Sequence, residues 1–485
     1  MGENGKTNVL LAGPTSYLGR RLMAKLLDRP NVRLRVFVVD RRNLGEFAGN
    51  IPEIVEGNLL DGEALGKATE GIEVAYFPVR FLGTDPEFER QGKLFARLFR
   101  DACIRAQVRR IVFLGPYSRE GVANETVRAM IDIGETLCAR PGEIQVVWLR
   151  AGFILGSGSL LFETLRNLAQ KMPVLLTPRW MDTRITVIGV RDILEYLIEA
   201  IDFPLDRSVE VEIGLTPRSF REMLADTARV MGLKRAYIRF PIGARRLSPI
   251  ILMILTPFSA RLSALFISML IEAGKTHGNI SPEGARKYFP GVSPAPFDVA
   301  VARAIEAIEL KEVVSRWTDS MGRLPASNTE EEISRSIFRW VQEANFGDIP
   351  PQKVFDAIKS IGGQHGWFHF DILWRIRGLM DKLAGGFGIS VGRRMESELR
   401  VGDILDVWRV LDMRENRRLL LEAQMKVAGK AWLEFRIDGN TLVQTAYHYP
   451  KGLLGRLYWY SMVPFHVFIF RDMIRSIIRQ ARKVE

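Results

Sequence analysis

Gly13, Ser16 and Gly19 follow the apolar run Asn8-Val-Leu-Leu-Ala12 and precede helical apolar spacing at Leu22, Met23, Leu26 and Leu27. A buried strand that reverses at a glycine and enters a helix leaves the first amides of that helix without intrahelical partners. Those amides and the helix dipole suit an anion, and glycines so placed form the turn on which a dinucleotide pyrophosphate sits. Gly13 would make the turn and Gly19 the close approach of helix to strand. Ser16 takes the middle position, where its Cβ intrudes but its hydroxyl can donate to phosphate. Thr15, Tyr17 and Leu18 complete the cofactor-contacting loop. A second strand, residues 34–39, ends at Asp40, 21 positions past Gly19. A carboxylate at about that distance takes the ribose hydroxyls of NAD, whereas Arg41 and Arg42 directly after it suit the extra phosphate of NADP. The expected cofactor is NAD or NADP, with the choice left open.

Other reactive residue types are sparse. Cys103 and Cys138 show no paired spacing, so neither a disulfide framework nor a metal cluster is expected. His365 and His369 stand at i, i+4, but Gly362, Gly363 and Gly366 argue against a helix there, and no carboxylate or cysteine cluster completes a set; no metal site is expected. A net charge of +12 and a pI near 9.7 allow anionic partners. With no zinc-finger spacing, no RNP-like run and no long Lys/Arg block, nucleic acid is not among those expected.

The elements that must position these residues alternate regularly. After the first strand, helix and strand come residues 54–57, a helix over 63–69 and a strand over 74–79. A helix over 86–106, a strand at 110–114, a helix over 124–139 and a strand at 145–149 follow. This order predicts an α/β, Rossmann-like, doubly wound parallel sheet over about 8–155. At 485 residues the chain exceeds one ordinary core, so two or three domains are expected.

Gly13 to Gly19, Gly57-Asn-Leu-Leu-Asp61, Arg109-Arg-Ile-Val-Phe-Leu-Gly115 and Leu149-Arg-Ala-Gly-Phe-Ile-Leu-Gly156 together resemble the atypical, extended-type short-chain dehydrogenase/reductases. The NmrA-like and complex-I-subunit-like NAD(P)-binding proteins are the nearest in kind. Thr177-Pro-Arg-Trp180, Val190-Arg-Asp192 and residues 212–220 carry the likeness to about 310, which implies a domain over 1–314 with a substrate-side region over 156–314. The resemblance places Asn58 and Leu59 beside the adenine and Phe77 at the cofactor cleft near the nicotinamide ribose.

One departure concerns catalysis. The family carries Tyr-x-x-x-Lys on the helix after the fifth strand, where lysine lowers the tyrosine pKa for proton transfer. Residues 124–137 hold neither. Tyr117 and Ser118, just past the fifth strand, are the candidate substitutes.

Residues 315–339 read as a linker, and a different pattern follows over 340–485. A strand end, a proline turn and a helix near 348–363, strands over 403–411, 418–427, 431–437 and 441–449, and a helix over 453–482 predict an α+β domain. Pro350-Pro-x-x-Val-Phe-x-x-Ile358 and Lys451-Gly-Leu-Leu-Gly-Arg-Leu-Tyr458 resemble the helix-grip, START-like superfamily, in particular a domain often fused behind such a module in bacteria. That fold implies a concave apolar cavity for an apolar small molecule, with Trp408, Trp432, Tyr458, Trp459 and Phe465 as linings. Plain core packing of the same aromatics is the other reading.

Residues 247–260 and 457–470 each lack Asp, Glu, Lys and Arg, yet are shorter than the roughly 20 residues that span a bilayer. Buried core and interfacial membrane contact both stay open for them. Arg471, Arg475, Arg479 and Arg482 share a helix face opposite Met473, Ile474, Ile477 and Ile478, as a solvated or an anionic-membrane surface would require. No basic-then-apolar leader stands at Met1–Lys6, so a cytoplasmic location is expected, peripheral to the membrane if those surfaces bind it. The function expected is an oxidoreductase for an apolar, quinone-like or lipid-like substrate. The alternatives are a non-catalytic NAD(P)-binding regulator or assembly factor, and a membrane-surface lipid carrier.

Overall fold

The computed structural model describes the chain apart from residues 1–4, 78–85, 118–123, 205, 241–246, 277–281, 311–312, 318–332, 335, 337, 363–398, 406, 425–428 and 483–485. Its first strands and helices alternate as Thr7–Ala12 (β1), Tyr17–Leu27 (α1), Val32–Val38 (β2), Glu53–Glu56 (β3), Gly62–Thr69 (α2), Val74–Tyr76 (β4), Pro86–Arg105 (α3), Arg110–Pro116 (β5), Glu125–Cys138 (α4) and Gln145–Ala151 (β6). A substrate-side set follows: Phe153–Leu155 (β7), Leu160–Lys171 (α5), Val174–Pro178 (β8), Arg184–Ile185 (β9), Val187–Gly189 (β10), Val190–Glu199 (α6), Val209–Ile213 (β11), Arg218–Ser219 (β12), Phe220–Val230 (α7), Ala236–Phe240 (β13), Ser248–Leu255 (α8), Ala260–Thr276 (α9), Pro282–Tyr288 (α10) and Phe297–Glu309 (α11).

Seven strands form one sheet in the order β11-β6-β5-β4-β1-β2-β3, with every neighbouring pair parallel. Side chains alternate across a strand, and both faces here are covered, which is why Val9 to Ala12 of β1 are all apolar and buried. Val9 and Leu11 join a core with Leu18, Leu22 and Leu26 of α1 and Ile193 of α6. Leu10 and Ala12 join the opposite core with Leu65 of α2, Phe99 of α3 and Ile133 of α4. The Rossmann-like expectation holds for this sheet.

Arg110 is fully buried at the foot of β5. Its guanidinium donates to Gln145 Oε1 at 2.6 Å and to the carbonyls of Ala200, Ile201 and Phe203 at 2.6–2.9 Å. Burial pulls its pKa down to about 10, and the neighbouring Arg109 charge adds to that. A buried charge is tolerated only when so fully bonded, and here it fastens the turn after α6 to the sheet.

A second sheet is antiparallel: Phe338–Asn345 (β14), Ile404–Leu405 (β15), Trp408–Arg414 (β16), Arg418–Ala423 (β17), Gly429–Asp438 (β18) and Thr441–Pro450 (β19), in the order β14-β19-β18-β17-β16-β15. Pro351–Lys359 (α12) and Gly452–Ala481 (α13) pack their apolar faces on it through Val354, Phe355, Ile358, Met473, Ile474 and Ile477.

Three expectations are corrected in this part. Residues 403–411 are not one strand: Leu405 pairs with Trp408, so the chain folds back on itself there. β17 stops at Ala423. β14 starts where a linker was expected, because its alternation is masked by Gln342 at an inward position.

Compact units comprise residues 1–251 with 264–322, and 252–263 with 323–485. Ser315 and Trp317, read as linker from their polar surroundings, are buried. Ser315 Oγ donates to the Tyr17 carbonyl at 2.7 Å, and the Trp317 N–H to that of Gly158 at 2.8 Å.

Candidate cofactor site

The turn after β1 is built by three residues. Gly13 takes a φ of +70°, a left-handed conformation that costs glycine little. Ser16 is the N-cap of α1: its Oγ accepts the Gly19 N–H at 3.0 Å and lies 3.2 Å from the Gly13 carbonyl, to which it donates. A Cβ on Gly19 would stand 2.2 Å from that same carbonyl oxygen, so only glycine allows helix and loop to close. In this arrangement the Ser16 hydroxyl is engaged within the loop itself. Its one proton is directed at Gly13, and the hydroxyl shapes the loop that presents the helix N-terminus.

Thr15 and Gly13 remain partly exposed at the loop mouth, whereas Tyr17 and Leu18 are buried. Tyr17 donates its hydroxyl proton to the Ser157 carbonyl at 3.1 Å, with Arg21 over its ring. Its side chain thus holds the loop from behind.

At the end of β2, Asp40 caps the short turn Arg41–Gly49 by accepting the Arg42 N–H at 2.9 Å. The Arg42 guanidinium also meets both Asp40 oxygens, at 2.6–3.1 Å. Burial pushes the Asp40 carboxyl up, but the Arg42 bonds and charge outweigh it and hold it below the usual carboxylate range. The Arg41 N–H donates to Glu56 Oε1 at 2.6 Å, and its side chain is exposed.

Arg20 was not singled out in the sequence. It is buried on α1 and donates to the Asn43 carbonyl at 2.8 Å, tying the glycine loop to the ribose corner. Its position directly after Gly19 was the available signal.

On the adenine side, Asn58 is exposed and its Oδ1 accepts the Leu60 N–H at 3.0 Å, while Leu59 packs partly into the core. Gly57 before them has no room for a Cβ, which would lie 2.4 Å from that of Ala64.

The nicotinamide end differs from expectation. The Phe77 ring is 1% exposed and packs edge-on against Phe99 and Phe113 at 5.2 and 5.9 Å. It belongs to the core, not to an open cleft wall, because Phe99 of α3 and Phe113 of β5 close around it. Tyr117 is 5% exposed, and its N–H donates to the Ala151 carbonyl at 2.7 Å. Ser118 lies outside the described residues.

On α4, Val127 and Ile131 pack against Leu265 and Met269 of α9, and Gly134 accommodates Trp148. The Asn124 amide donates to Ser268 Oγ at 3.3 Å. The helix that carries the acid/base pair in the resembling family is here a packing element.

In the second unit the expected linings do not share one face. Trp408 belongs to the core under α12 and α13, whereas Trp432 packs on the opposite face with Leu411 and Leu420, since it lies one residue out of phase with Leu433. Trp459 stacks on Phe338 and His448, with Tyr458 beside the histidine. The side chain of Phe465 lies outside the description.

His448 is 1% exposed, and its Nε2 lies 3.2 Å from the Gly455 carbonyl. Burial pulls its pKa down. Among the described residues no three His, Cys, Asp or Glu side chains are grouped to hold a metal ion; His365 and His369 lie outside them.

Residues 13–130 match the model of a family described as NAD(P)H-binding, and residues 335–473 match a family described as a protein of unknown function, DUF2867. No curated protein sequence matches the chain.

Among solved structures, triphenylmethane reductase of Citrobacter sp. aligns with a TM-score of 0.51 at 14% identity, over 62% of this chain and 99% of that one. The same enzyme complexed with NADP(H) aligns at 0.50 and 15%, over 61% and 99%. A nucleoside-diphosphate-sugar epimerase from Staphylococcus aureus aligns at 0.49 and 16%, over 61% and 100%. At these identities the likeness is one of fold.

The first domain is thus an NAD(P)-binding domain of Rossmann-like fold, and its cofactor is NAD or NADP.

Proposed function

We propose that the protein is an NAD(P)H-dependent reductase of an apolar, quinone-like substrate. The observation that carries this reading is the contrast between a complete dinucleotide loop and an α4 without Tyr-x-x-x-Lys, packed against α9. Hydride addition to an aliphatic ketone produces an alkoxide, which needs an acid poised beside it. Hydride addition to a quinone produces a phenolate, whose conjugate acid has a pKa of about 10, so water or a weakly placed hydroxyl such as Tyr117 or Ser118 supplies the proton. In this reading Gly13, Thr15, Ser16, Tyr17, Leu18 and Gly19 form and support the pyrophosphate cradle. Asp40, Arg41 and Arg42 bind the ribose, and Asn58 and Leu59 border the adenine.

The bidentate Asp40–Arg42 pair, Nε to Oδ1 and Nη2 to Oδ2, favours NADP over NAD. The carboxylate is already engaged, and the arginines supply the charge that a ribose phosphate requires.

The second domain, with its START-like resemblance, would capture the apolar molecule. Gln444 supports this: it is 1% exposed, its Nε2 reaches only Met473 Sδ at 3.6 Å, and its Oε1 has no partner among the described residues. A buried amide so poorly matched is what the polar group of a bound ligand would complete. Peripheral contact with an anionic membrane, supported by the exposed Arg471, Arg475 and Arg479 of α13 and Arg482 at its cap, would supply such a substrate.

The test is oxidation of NADPH and NADH by the purified protein against a panel of quinones. Turnover with at least one quinone is expected. Tight cofactor binding with no turnover on any would overturn the redox reading and leave a non-catalytic NAD(P) sensor, which the packed α4 favours as the second reading.

A further inference from the structure

α8, Ser248-Pro-Ile-Ile-Leu-Met-Ile-Leu255, has one polar side chain, and that one is buried, where Ser248 Oγ accepts the Trp180 indole N–H at 2.8 Å. A helix apolar all round belongs in a core or in lipid. Leu252 and Met253 are buried, yet Leu247, Ile250, Ile251 and Ile254 are 59%, 44%, 43% and 63% exposed. Their i, i+3, i+4, i+7 spacing puts them on one stripe. A contiguous row of four large aliphatic side chains in water marks an interaction surface.

Charge identifies what covers it. Residues 227–271 contain no Asp or Glu and seven Lys or Arg: Arg229, Lys234, Arg235, Arg239, Arg245, Arg246 and Arg261. Arg239 and Arg261 are exposed on either side of the stripe in sequence. A second copy of the chain would bring like charges together, which opposes association. An anionic bilayer meets both requirements, apolar beneath and negative at the rim.

The helices set the depth. Among the described residues no single helix is long and apolar enough to cross a membrane, but α8 with residues 260–275 has the length and composition to enter one, bent by 120° at the break. Eight residues of helix rise only about 12 Å, well short of a bilayer core of about 30 Å. Beyond the bend, Leu265 and Met269 pack on Val127 and Ile131 of α4, and Phe266 meets Phe153 and Phe220. The second helix is thereby held in protein, and α8 is left to lie in the interface.

We propose that α8 is the membrane-docking helix, seating Leu247, Ile250, Ile251 and Ile254 among the acyl chains of an anionic bilayer while basic side chains of the flanking sequence, Arg239 among them, meet its phosphates. This assigns a surface to the membrane contact proposed above and rests on that contact.

The experiment is co-sedimentation of the full chain with phosphatidylcholine vesicles, with and without phosphatidylglycerol, at low and high salt. Wild type is expected to bind the anionic vesicles, less so at high salt. The double variant Ile250→Asp/Ile254→Asp is expected to bind at least about ten-fold more weakly, with NADPH affinity and melting temperature unchanged. Because aspartate also repels anionic lipid, Ile250→Gln/Ile254→Gln separates burial from charge and should lower binding about five-fold.

If both variants bind as wild type does, the α8 assignment fails. If Leu453→Gln/Leu457→Gln on α13 abolishes the binding instead, membrane contact stands without α8. If wild type ignores anionic vesicles, the contact itself fails. If wild type is a dimer in sedimentation velocity and the aspartate variant a monomer, the stripe is covered by a second copy.

Discussion

Two corners of one sheet edge have been treated differently by this sequence. After β1, side chains brace the loop at the head of α1: Ser16 bonds Gly13 and Gly19, and Arg20 bonds Asn43 beyond it. After β5, at the corresponding carboxyl end, Tyr117 is sunk into the protein and α4 turns apolar residues toward α9. The first corner presents a braced turn, and the second packs. A Rossmann-like fold therefore does not oblige its two ends to evolve together, and binding of a dinucleotide is legible where its chemistry is not.

The comparison breaks most visibly at Gly19. Gly19→Val places side-chain carbon into the Gly13 carbonyl and should weaken binding of either dinucleotide at least about 100-fold by calorimetry. Binding at wild-type strength would mean that the first corner is also only packing.

Arg42→Ala follows in size. NADP affinity should fall about ten-fold while NAD affinity holds or improves, since Asp40 is released for the ribose hydroxyls. Equal losses for both cofactors would remove the assignment of NADP.

A pH titration sharpens the same point. Asp40 has its folded pKa held below the usual carboxylate range, so the contribution of its ion pair is fully present above that range and lost only as pH falls through the lowered pKa. NAD binding should therefore not respond to Asp40 through the mildly acidic range. NADP binding should weaken below about pH 6, where the ribose phosphate itself takes up a proton.

Ser16→Ala is smaller. Loss of the N-cap should lower stability by about 1 kcal/mol in denaturant melts.

Tyr117→Phe should do least. With a quinone acceptor, turnover should change by less than about three-fold, because a phenolate product needs little acid assistance. A loss of about 100-fold would make the second corner catalytic and the substrate a carbonyl compound.

The parallel sheet was readable because burial on both faces leaves uninterrupted apolar strands, and the Gly13 turn because few other residues can reverse there. Position in sequence located Asp40 but not its engagement by Arg42, which depends on a side-chain geometry that spacing does not encode. Phe77 was misplaced for a related reason: a strand-end aromatic reads the same whether it faces a cleft or its own core, and only the positions of Phe99 and Phe113 decide. Trp408 and Trp432 were grouped by type although phase puts them on opposite faces, and Gln342 hid the alternation of β14. Non-local packing is the common factor in these misses.

Ser315, bonded to the Tyr17 carbonyl and to Arg21 at 2.8 Å, ties residues 298 positions apart. Arg21 also reaches the Ser157 carbonyl at 2.8 Å. A first domain excised after residue 314 would keep the whole seven-stranded sheet and yet lack the strap behind its nucleotide loop. Trimming to the apparent end of the fold would then yield a protein that survives purification but holds its cofactor poorly. Extending the cut past Trp317 would restore the hold without adding a strand or a helix.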